Sequence, residues 1–506
     1  MRGGSYVLSR YGGICTFLCM VTVGVSAHVG TSNAYYESTA GPYGMRVIVR
    51  TPGVIPGLAQ ISVRILHGNN VEQVTVRPLR ADVGLDGAPP PDIARRVPGE
   101  NHLFSSELWL MTSGSYSVHV TVAGSDGSVS AFVPVQAVAE RRLAMGSFVG
   151  IVLASIGLFL FFGAVSIFGA AVRESVLEPG VAPDMTRRRN ARIAMAVGAV
   201  FLAGVLSGGW RWWDDVDQAY RDSIYTTWST TPDIMSTDLG HVFRLVIDDP
   251  DWLNLDGEPA LPLIPDHGKL MHMFLVKASD LSAFAHVHPV SVGNDSFVVS
   301  LPPLPVGDYH VFADIVHESG FAPTLVDTVN VMEAAHTRSA QPLLPVMRDP
   351  DDSWAVFRSL TSNPPDVYQL PSGRFLHWDR HDSFTRDEET ILRFSLMNQD
   401  GTPSVLEPYM GMLSHAAVVR DDGSFFMHLH PSGSINLAAQ QRFEQDRSGL
   451  RSAHVTGMHD ATLESMREST NEVSFPFVFS ESGAYRIVVQ VKTEGRVETA
   501  AFDIEI

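Results

Sequence analysis

Short runs in which apolar and polar residues alternate at every second position dominate residues 28–143. Residues 45–49, 60–65 and 116–122 show the alternation most clearly, and turns rich in Pro and Gly separate them. Because successive side chains of a strand point to opposite faces of a sheet, the pattern indicates strands with one buried face. Several such strands without a helical period predict a β-sandwich.

Two long stretches break this pattern, since residues 148–172 and 193–210 contain no charged residue. Their lengths suit membrane-spanning helices, which we place at 147–172 and 193–210. The short loop between them, 173–192, carries five arginines, so we expect it to lie in the cytoplasm. Both large flanks, including a connector at 214–240, are then extracytoplasmic, and the chain is predicted to lie in the inner (cytoplasmic) membrane.

The first 27 residues have the pattern of a secretory signal peptide. Basic residues precede an apolar segment at 14–25, which is too short to span a bilayer, and Val25-Ser26-Ala27 suits cleavage. An uncleaved N-terminal anchor is the alternative. Cleavage after Ala27 would leave His28 as the N-terminus, where amine and imidazole together can chelate Cu(II).

The N-terminal sandwich region contains the strings GPYGMRVIVRTPGVIPGLAQISVRI and LWLMTSGSYSVHVTVAGSDGSVSAFVPV. Their order of turns and strands resembles the YtkA/FixH-like periplasmic sandwich domains. The resemblance covers about 100 residues. It implies an immunoglobulin-like fold and an association with metal trafficking or oxidase assembly, and it supplies no catalytic residue.

The C-terminal half contains two copies of one histidine-bearing pattern. Each copy begins Asp-Gly-x-Pro, continues with Pro-x-x-Gly-x-x-x-His and closes with Phe-x-His-x-His-Pro. The first histidine precedes the closing pair by 14 residues in one copy and 13 in the other. The histidines of the two copies are His272, His286 and His288, and His415, His428 and His430. We therefore expect each histidine of one copy to occupy the same strand position as its counterpart in the other.

These copies predict two His-rich β-sandwiches at 241–335 and 388–506, joined by a Pro-, Asp- and Ser-rich linker at 336–387. The second sandwich carries an insertion that contains His454, Met458 and His459. The pattern LMH…F-x-H-x-HP…FADIVHESGF between residues 256 and 321 resembles an uncharacterised class of exported bacterial domains, which brings no activity. The predicted fold class is mainly β, with immunoglobulin/cupredoxin-like sandwiches and a two-helix transmembrane hairpin.

The histidine spacing predicts metal chemistry. His286 and His288 are two residues apart on a strand, so both imidazoles project from one face, and a hairpin can bring His272 opposite them. Three neutral imidazoles commonly hold zinc or copper, with their nitrogens roughly 3–4 Å apart. A further aligned pair, His267 and Met410, shares little except the ability to bind copper. The alternative is that the histidines only cap turns.

Composition narrows the choice of chemistry. The net charge of −19 argues against nucleic acid as a partner. The only cysteines, Cys15 and Cys19, lie in the predicted signal peptide, which excludes a disulfide scaffold and a Cys-ligated metal site in the mature chain. Fifteen of the 19 histidines fall between His241 and His459, so the histidines are concentrated in the repeat region.

The function predicted from the sequence is a membrane-anchored extracytoplasmic metal-binding protein that handles copper or zinc. A structural or interaction protein of the cell envelope, with another envelope protein as partner, is the alternative. A metal-dependent enzyme is a further alternative, but no Glu stands as a base in both copies and no HExxH, nucleotide loop or serine motif occurs. The sequence leaves open the metal, the oligomeric state, and whether the two histidine triads form one site or two.

Overall fold

The computed structural model describes residues 33–39, 41–178, 180–237, 240–254, 259–260, 262–332, 348–362, 364–380, 384–448 and 470–506. These residues form a mainly β protein, as the alternation predicted, with six sheets and two long apolar helices. The predicted signal peptide and His28 lie outside the described residues, as do His454, Met458 and His459.

The N-terminal sandwich consists of two antiparallel sheets whose inner faces form one core. Its strands are β1 (Ala34–Ser38), β2 (Gly44–Arg50), β3 (Gly57–His67), β4 (Val71–Arg80), β5 (Asp92–Ile93), β6 (Arg95–Arg96), β7 (Leu103–Leu110), β8 (Gly114–Gly124) and β9 (Gly127–Ala137). One sheet has the order β1-β2-β3-β7-β6 and the other the order β5-β4-β8-β9. Inward side chains such as Val47, Ile61 and Val120 are fully buried, as period-two burial requires.

Two helices follow, α1 (Ser147–Glu174) and α2 (Met185–Asp222), and both are long and apolar enough to cross a membrane. They pack against each other through small residues. A Cβ on Gly169 would lie 2.6 Å from the sulfur of Met195, and one on Gly198 would lie 2.5 Å from the ring of Phe168. Glycine at these two positions therefore permits the close approach of the helices.

The second sandwich contains β10 (Thr230–Thr237), β11 (Gly240–Ile247), β12 (Met271–Lys277), β13 (Ala283–Val287), β14 (Val290–Ser291), β15 (Ser296–Ser300), β16 (Gly307–Ile315), β17 (Thr324–Val331) and β18 (Ser353–Val356). The outer sheet has the order β10-β11-β15-β14 and the inner sheet the order β17-β16-β12-β13-β18. Met271 and Met273 belong to the core between these two sheets.

The third sandwich contains β19 (Val367–Gln369), β20 (Phe375–Trp378), β21 (Thr390–Met397), β22 (Ser414–Arg420), β23 (Phe426–Leu429), β24 (Glu472–Phe477), β25 (Ala484–Thr493) and β26 (Arg496–Glu505), with α3 (Leu437–Ser448) after β23. The outer sheet has the order β19-β20-β21-β24, and the inner sheet the order β23-β22-β25-β26. In both copies, therefore, the strand of the first histidine lies in the middle of three strands: β12 between β13 and β16, and β22 between β23 and β25.

The inner sheets of the second and third sandwiches pack face to face, so each is buried on both sides. One face completes the core of its own sandwich, and the other contributes to a shared cluster that includes Phe274 and Phe312 from one repeat and Phe426 from the other. The rings of Phe312 and Phe426 stack at 4.3 Å. Because burial continues on both faces, the inner strands β12 and β22 are apolar at nearly every position except the histidines.

The N-terminal sandwich also contacts the third one, through the segment that follows β23. Strand β1 pairs with this segment: the Glu37 amide donates to Ser432 at 2.8 Å, and the Ser434 amide donates to Tyr35 at 2.9 Å. Gly433 lies between them with a positive φ of 120°, and a Cβ there would meet the Tyr35 carbonyl. This contact joins the N-terminal sandwich to the His-rich repeats.

Several predicted boundaries differ from the structure. The helix expected at 193–210 extends over Met185–Asp222, because polar residues continue the helical turn beyond the apolar stretch. The predicted connector contains β10, and the predicted linker contains β18, β19 and β20. These short strands lie at sheet edges or beside them, where Pro-rich neighbours are tolerated, so their composition resembled that of a linker.

Candidate metal centre

Seven histidines gather between the two inner sheets. His272 lies on β12 and His286 on β13, while His415 lies on β22 and His428 on β23. His288 and His430 directly follow β13 and β23, and His267 lies in the turn before β12. The six strand-associated histidines are between 0 and 8% exposed, and the side chain of His267 is 2% exposed. The two triads predicted from the sequence therefore lie in one cluster at the interface between the repeats.

Strand geometry explains why these side chains converge. On β12 the core residues Met271 and Met273 alternate with His272, so the imidazole faces the other repeat. The same alternation on β22 places Ala416 in the core and His415 at the interface. Each histidine thus occupies the face of its sheet that apolar side chains such as Phe274 otherwise fill.

His272, His286 and His288 form the first group, in which one ring nitrogen from each residue lies within 4.8 Å of the others. The Nδ1 of His272 is 3.2 Å from the Nε2 of His286. That separation matches two nitrogens bound to one ion at about 2.0–2.1 Å. The residues predicted as the first triad are thus brought together.

The protons available to His272 and His286 are fewer than their contacts require. The Nε2 of His272 is 3.1 Å from the Asp266 carbonyl, and the Nδ1 of His286 is 2.9 Å from Gln490 Oε1. Each acceptor needs an N–H, and a neutral imidazole has only one. The 3.2 Å contact between the two rings then joins two lone pairs, an arrangement that a shared cation would stabilise.

His267, His415 and His430 form the second group, again with ring nitrogens within 4.8 Å of one another. This set draws on both repeats, because His267 precedes β12 whereas His415 and His430 belong to the third sandwich. The ring of His267 is 5.1 Å from that of His430 and 5.6 Å from that of His415. The grouping differs from the predicted triad, in which His428 stood in the place of His267.

His267 and Met410 occupy equivalent turns. Both have a left-handed backbone, with φ of 51° and 48°, and each turn is closed by a bridge, between Asp266 and Lys269 and between Tyr409 and Met412. A Cβ on Gly411 would lie 3.9 Å from Nδ1 of His267, so the two turns face each other. Met410 is buried. Because His267 of the first copy lies in the second group, the equivalent position in the other copy is expected to place the thioether of Met410 beside the first group.

His428 lies between the two groups. Its ring is 4.5 Å from that of His430, 5.4 Å from that of His415 and 5.6 Å from that of His272. Its Nδ1 is 3.3 Å from a carboxylate oxygen of Asp314 on β16. His428 can therefore approach an ion in either group.

Two contacts across the interface are equivalent to each other when the two repeats are interchanged. Asp314 is opposite His272 in the strand register, and Gln490 is opposite His415. Asp314 reaches across to His428, and Gln490 reaches across to His286. The interface thus has the reciprocal pattern of a twofold dimer, with Asp in one half and Gln in the other.

Two carboxylates extend the first group beyond what the histidine pattern indicated. His288 Nδ1 is 3.0 Å from Asp352, and His288, Asp349 and Asp352 together form a third convergent set. A carboxylate on one ring nitrogen orients the other nitrogen and raises its basicity, as in many metal sites. The signal in the sequence was the acidic run at 349–352, which sequence analysis assigned to the linker.

Burial favours the uncharged form of five histidines in the cluster. Desolvation, with neighbouring histidines as a further cause, lowers the pKa of His272 to about 4. The pKa values of His286, His288, His415 and His430 are held well below the usual range for the same reasons. Burial also raises the pKa of Asp352 to about 6. Neutral imidazoles are the form that binds metal ions.

Several ring nitrogens of the cluster are buried without a hydrogen-bond partner among the described residues. They are the Nε2 atoms of His288, His428 and His430 and both ring nitrogens of His415. A buried polar atom left unsatisfied costs about 1–3 kcal/mol. Five such atoms in one place indicate a cluster that packing alone does not explain.

The comparisons with known proteins found a family match for part of the chain. Residues 373–506, which comprise nearly all of the third sandwich, match the family described as Domain of unknown function (DUF8832). No curated protein matches the chain significantly. The resemblance of the N-terminal region to YtkA/FixH-like domains, and of the first repeat to the exported histidine-bearing class, stays a prediction.

Three solved structures resemble the chain remotely. A putative membrane anchored protein from Corynebacterium diphtheriae is 11% identical, with 94% of this chain and 93% of that chain covered and a TM-score of 0.13. A Ca2+-stabilized adhesin of an Antarctic bacterium is 8% identical, with coverages of 89% and 68% and a TM-score of 0.15. The chicken CNTN1 FN1-FN3 domains are 8% identical, with coverages of 92% and 99% and a TM-score of 0.12.

Proposed function

We propose that this protein is a membrane-anchored, extracytoplasmic metal-binding protein that holds copper or zinc between its two His-rich sandwiches. The contact between His272 and His286 carries the proposal. The ring nitrogens of this pair make three short contacts, to each other, to the Asp266 carbonyl and to Gln490, but the two neutral rings have only two N–H protons. A third proton is disfavoured near neutral pH, since burial lowers the pKa of both rings. A metal ion supplies the missing positive charge.

The ligands we propose form two sites. The first comprises His272, His286 and His288, with Met410 as an added ligand from the facing turn. The second comprises His267, His415 and His430, and His428 stands between the sites. Imidazole suits both zinc and copper, whereas a thioether favours Cu(I). Binding through Met410 would therefore favour copper at the first site.

The location we propose follows from the helices. Helices α1 and α2 anchor the chain in the inner membrane, and the five arginines between residues 173 and 192 hold their connecting loop in the cytoplasm. All three sandwiches then lie on the extracytoplasmic side. A site made of His and Met, without thiols, suits that oxidising compartment.

Metal analysis of the full-length chain tests the proposal. The chain would be purified in detergent, stripped with a chelator, offered Cu(I), Cu(II) or Zn(II), desalted and analysed by mass spectrometry for metal per chain. We expect two ions per wild-type chain, and one in either His288→Ala or His415→Ala, since each variant disrupts a different group.

His310→Ala is the matched control. His310 lies on β16, and its ring contacts Phe312, outside both groups. This variant should bind as much metal as the wild type, and circular dichroism should show that all three variants are folded. Absence of bound metal in the wild type would overturn the proposal and favour an interaction protein of the cell envelope. Turnover of a substrate by the metal-loaded chain would instead favour a metal-dependent enzyme.

A further inference from the structure

A cavity of about 810 Å³ lies where the three sandwiches meet. Pro134 and Gln136 line it from the N-terminal sandwich, Asp314 and Thr324 from the second, and His428 and His430 from the third. An ion with six waters occupies about 180 Å³, at about 30 Å³ per water, so the cavity admits a fully hydrated cation.

The lining of this cavity is acidic. Glu140, Asp314, Asp327 and Asp422 line it, and none of the lining residues among those the structure describes is Lys or Arg. Low-dielectric walls with charges of one sign concentrate counter-ions and raise their rate of association. The cavity is therefore electrostatically suited to cations.

The cavity also reaches the histidine cluster. His428 and His430 are more than nine-tenths buried, and the Nε2 atom of each has no hydrogen-bond partner among the described residues. Other members of the cluster, such as His286 and His415, do not line the cavity. His428 is thus both a wall of the cavity and the residue whose ring adjoins both groups.

We propose that this cavity is the entry route for hydrated metal cations and that His428 passes the ion from the cavity to the two buried groups. Asp314 positions His428 through its contact with Nδ1, which leaves Nε2 as the ligand atom. The inference rests on the proposed function and adds the route by which the buried sites are filled.

The rate of loading tests this route, whereas the amount of metal bound tests the function. Zn(II) would be mixed with the stripped full-length chain in a stopped-flow instrument, with a fluorescent zinc indicator as competitor. We choose Asp327→Asn/Asp422→Asn, because asparagine keeps the hydrogen bonds that these residues accept from Thr230 and Ser424. At low salt we expect loading about tenfold slower than wild type, which is the lower end of the rate effects that charged clefts have on the association of ions.

The matched control is Asp82→Asn/Asp308→Asn, which removes two exposed carboxylates outside the cavity. It should load at the wild-type rate. At about 0.5 M salt, where screening shortens the range of charge effects, the cavity variant should approach that rate too. The final stoichiometry should stay unchanged in both variants.

A second variant tests the route without changing charge. Thr328 is exposed and lines the cavity, so Thr328→Trp should narrow the entrance and slow loading at every salt concentration. Asn330→Trp is its control, because Asn330 lies two residues further on β17, exposed and outside the cavity. Thermal unfolding would verify that both variants are folded.

The outcomes separate the two proposals. Wild-type loading rates in both cavity variants would refute the route while leaving metal binding intact. A loss of bound zinc in Asp327→Asn/Asp422→Asn would also refute it, since the carboxylates would then be ligands. Wild-type protein that binds no metal would refute the proposed function, and the cavity would have no site to supply.

Discussion

The ion pair between Arg486 and Asp503 is buried where the repeats meet, and removing one charge should be costly. The guanidinium donates to both carboxylate oxygens, at 2.6 and 2.8 Å, and also donates to the Leu281 carbonyl of the other repeat. Both side chains are at most 6% exposed. Asp503→Asn keeps the shape of the side chain but leaves Arg486 as a buried charge without a counter-ion.

The expected loss is about 3 kcal/mol, the lower end of the range for breaking a buried pair. Asparagine would still accept one hydrogen bond, but its amide would face a guanidinium nitrogen that also donates. The charge-assisted bond lost there is worth about 1.5–3 kcal/mol, and the uncompensated charge adds to it. Because 1.4 kcal/mol is about tenfold in an equilibrium, the population of locally opened molecules should rise roughly a hundredfold.

Hydrogen exchange of the full-length chain in detergent measures this opening directly. The amides of β25 and β26 should exchange roughly a hundredfold faster in Asp503→Asn than in wild type, under conditions where the opened segment recloses faster than its amides exchange. Asp233→Asn is the matched control, because its pair with Arg244 has a separation of 3.4 Å and both side chains are over 40% exposed. An exposed pair of this kind contributes about 1 kcal/mol or less.

The double variant Arg486→Met/Asp503→Asn separates the pair from the buried charge. It should restore much of the protection of β25 and β26, because no unpaired guanidinium remains. Exchange in Asp503→Asn no faster than in Asp233→Asn would refute the reasoning, as would a double variant less protected than Asp503→Asn.

Three further predictions concern topology, pH and packing. A reporter fused after Ile506 should be active only if it functions outside the cytoplasm, and activity of a strictly cytoplasmic reporter would contradict the proposed topology. In the metal-stripped chain, the contribution of His272 to the free energy of unfolding should be fully present above pH 6.5 and be lost between pH 6.5 and 4, because the pKa of His272 drops to about 4 on folding. This contribution is at most about 3 kcal/mol. A denaturation series in which the free energy of unfolding of His272→Gln depends on pH as steeply as that of the wild type would exclude it. Gly433→Ala should speed exchange of the Tyr35–Glu37 amides because its Cβ would clash with the Tyr35 carbonyl, whereas Gly495→Ala, also at positive φ but in open space, should leave them unchanged.

The strands and the histidine positions could be predicted because both depend on local periodicity. Alternation predicted that His286 and His288 share a face, and the internal repeat placed His272 and His415 on equivalent strands. Their structural positions on β12 and β22 agree with this pattern. The fold class followed from the same period, since a mainly β chain with two uncharged stretches allows few architectures.

The composition of the second group could not be predicted from spacing. His267 joins His415 and His430 only because the two inner sheets pack face to face, and that packing depends on the shapes of Phe312 and Phe426. Period two indicates which face a side chain occupies but not which surface it meets. Asp352 was missed for a related reason, because its role depends on β18 pairing with β13 across a long connection.

The reciprocal contacts between the repeats have an evolutionary consequence. If one domain was duplicated to give both, a single ancestral copy needed a second molecule of itself to cover its histidine face and would have assembled as a symmetric homodimer. Fusion into one chain then freed the halves to diverge. Asp314 where the second copy has Gln490, and His267 where it has Met410, are differences that two identical subunits encoded by one gene could not have acquired independently.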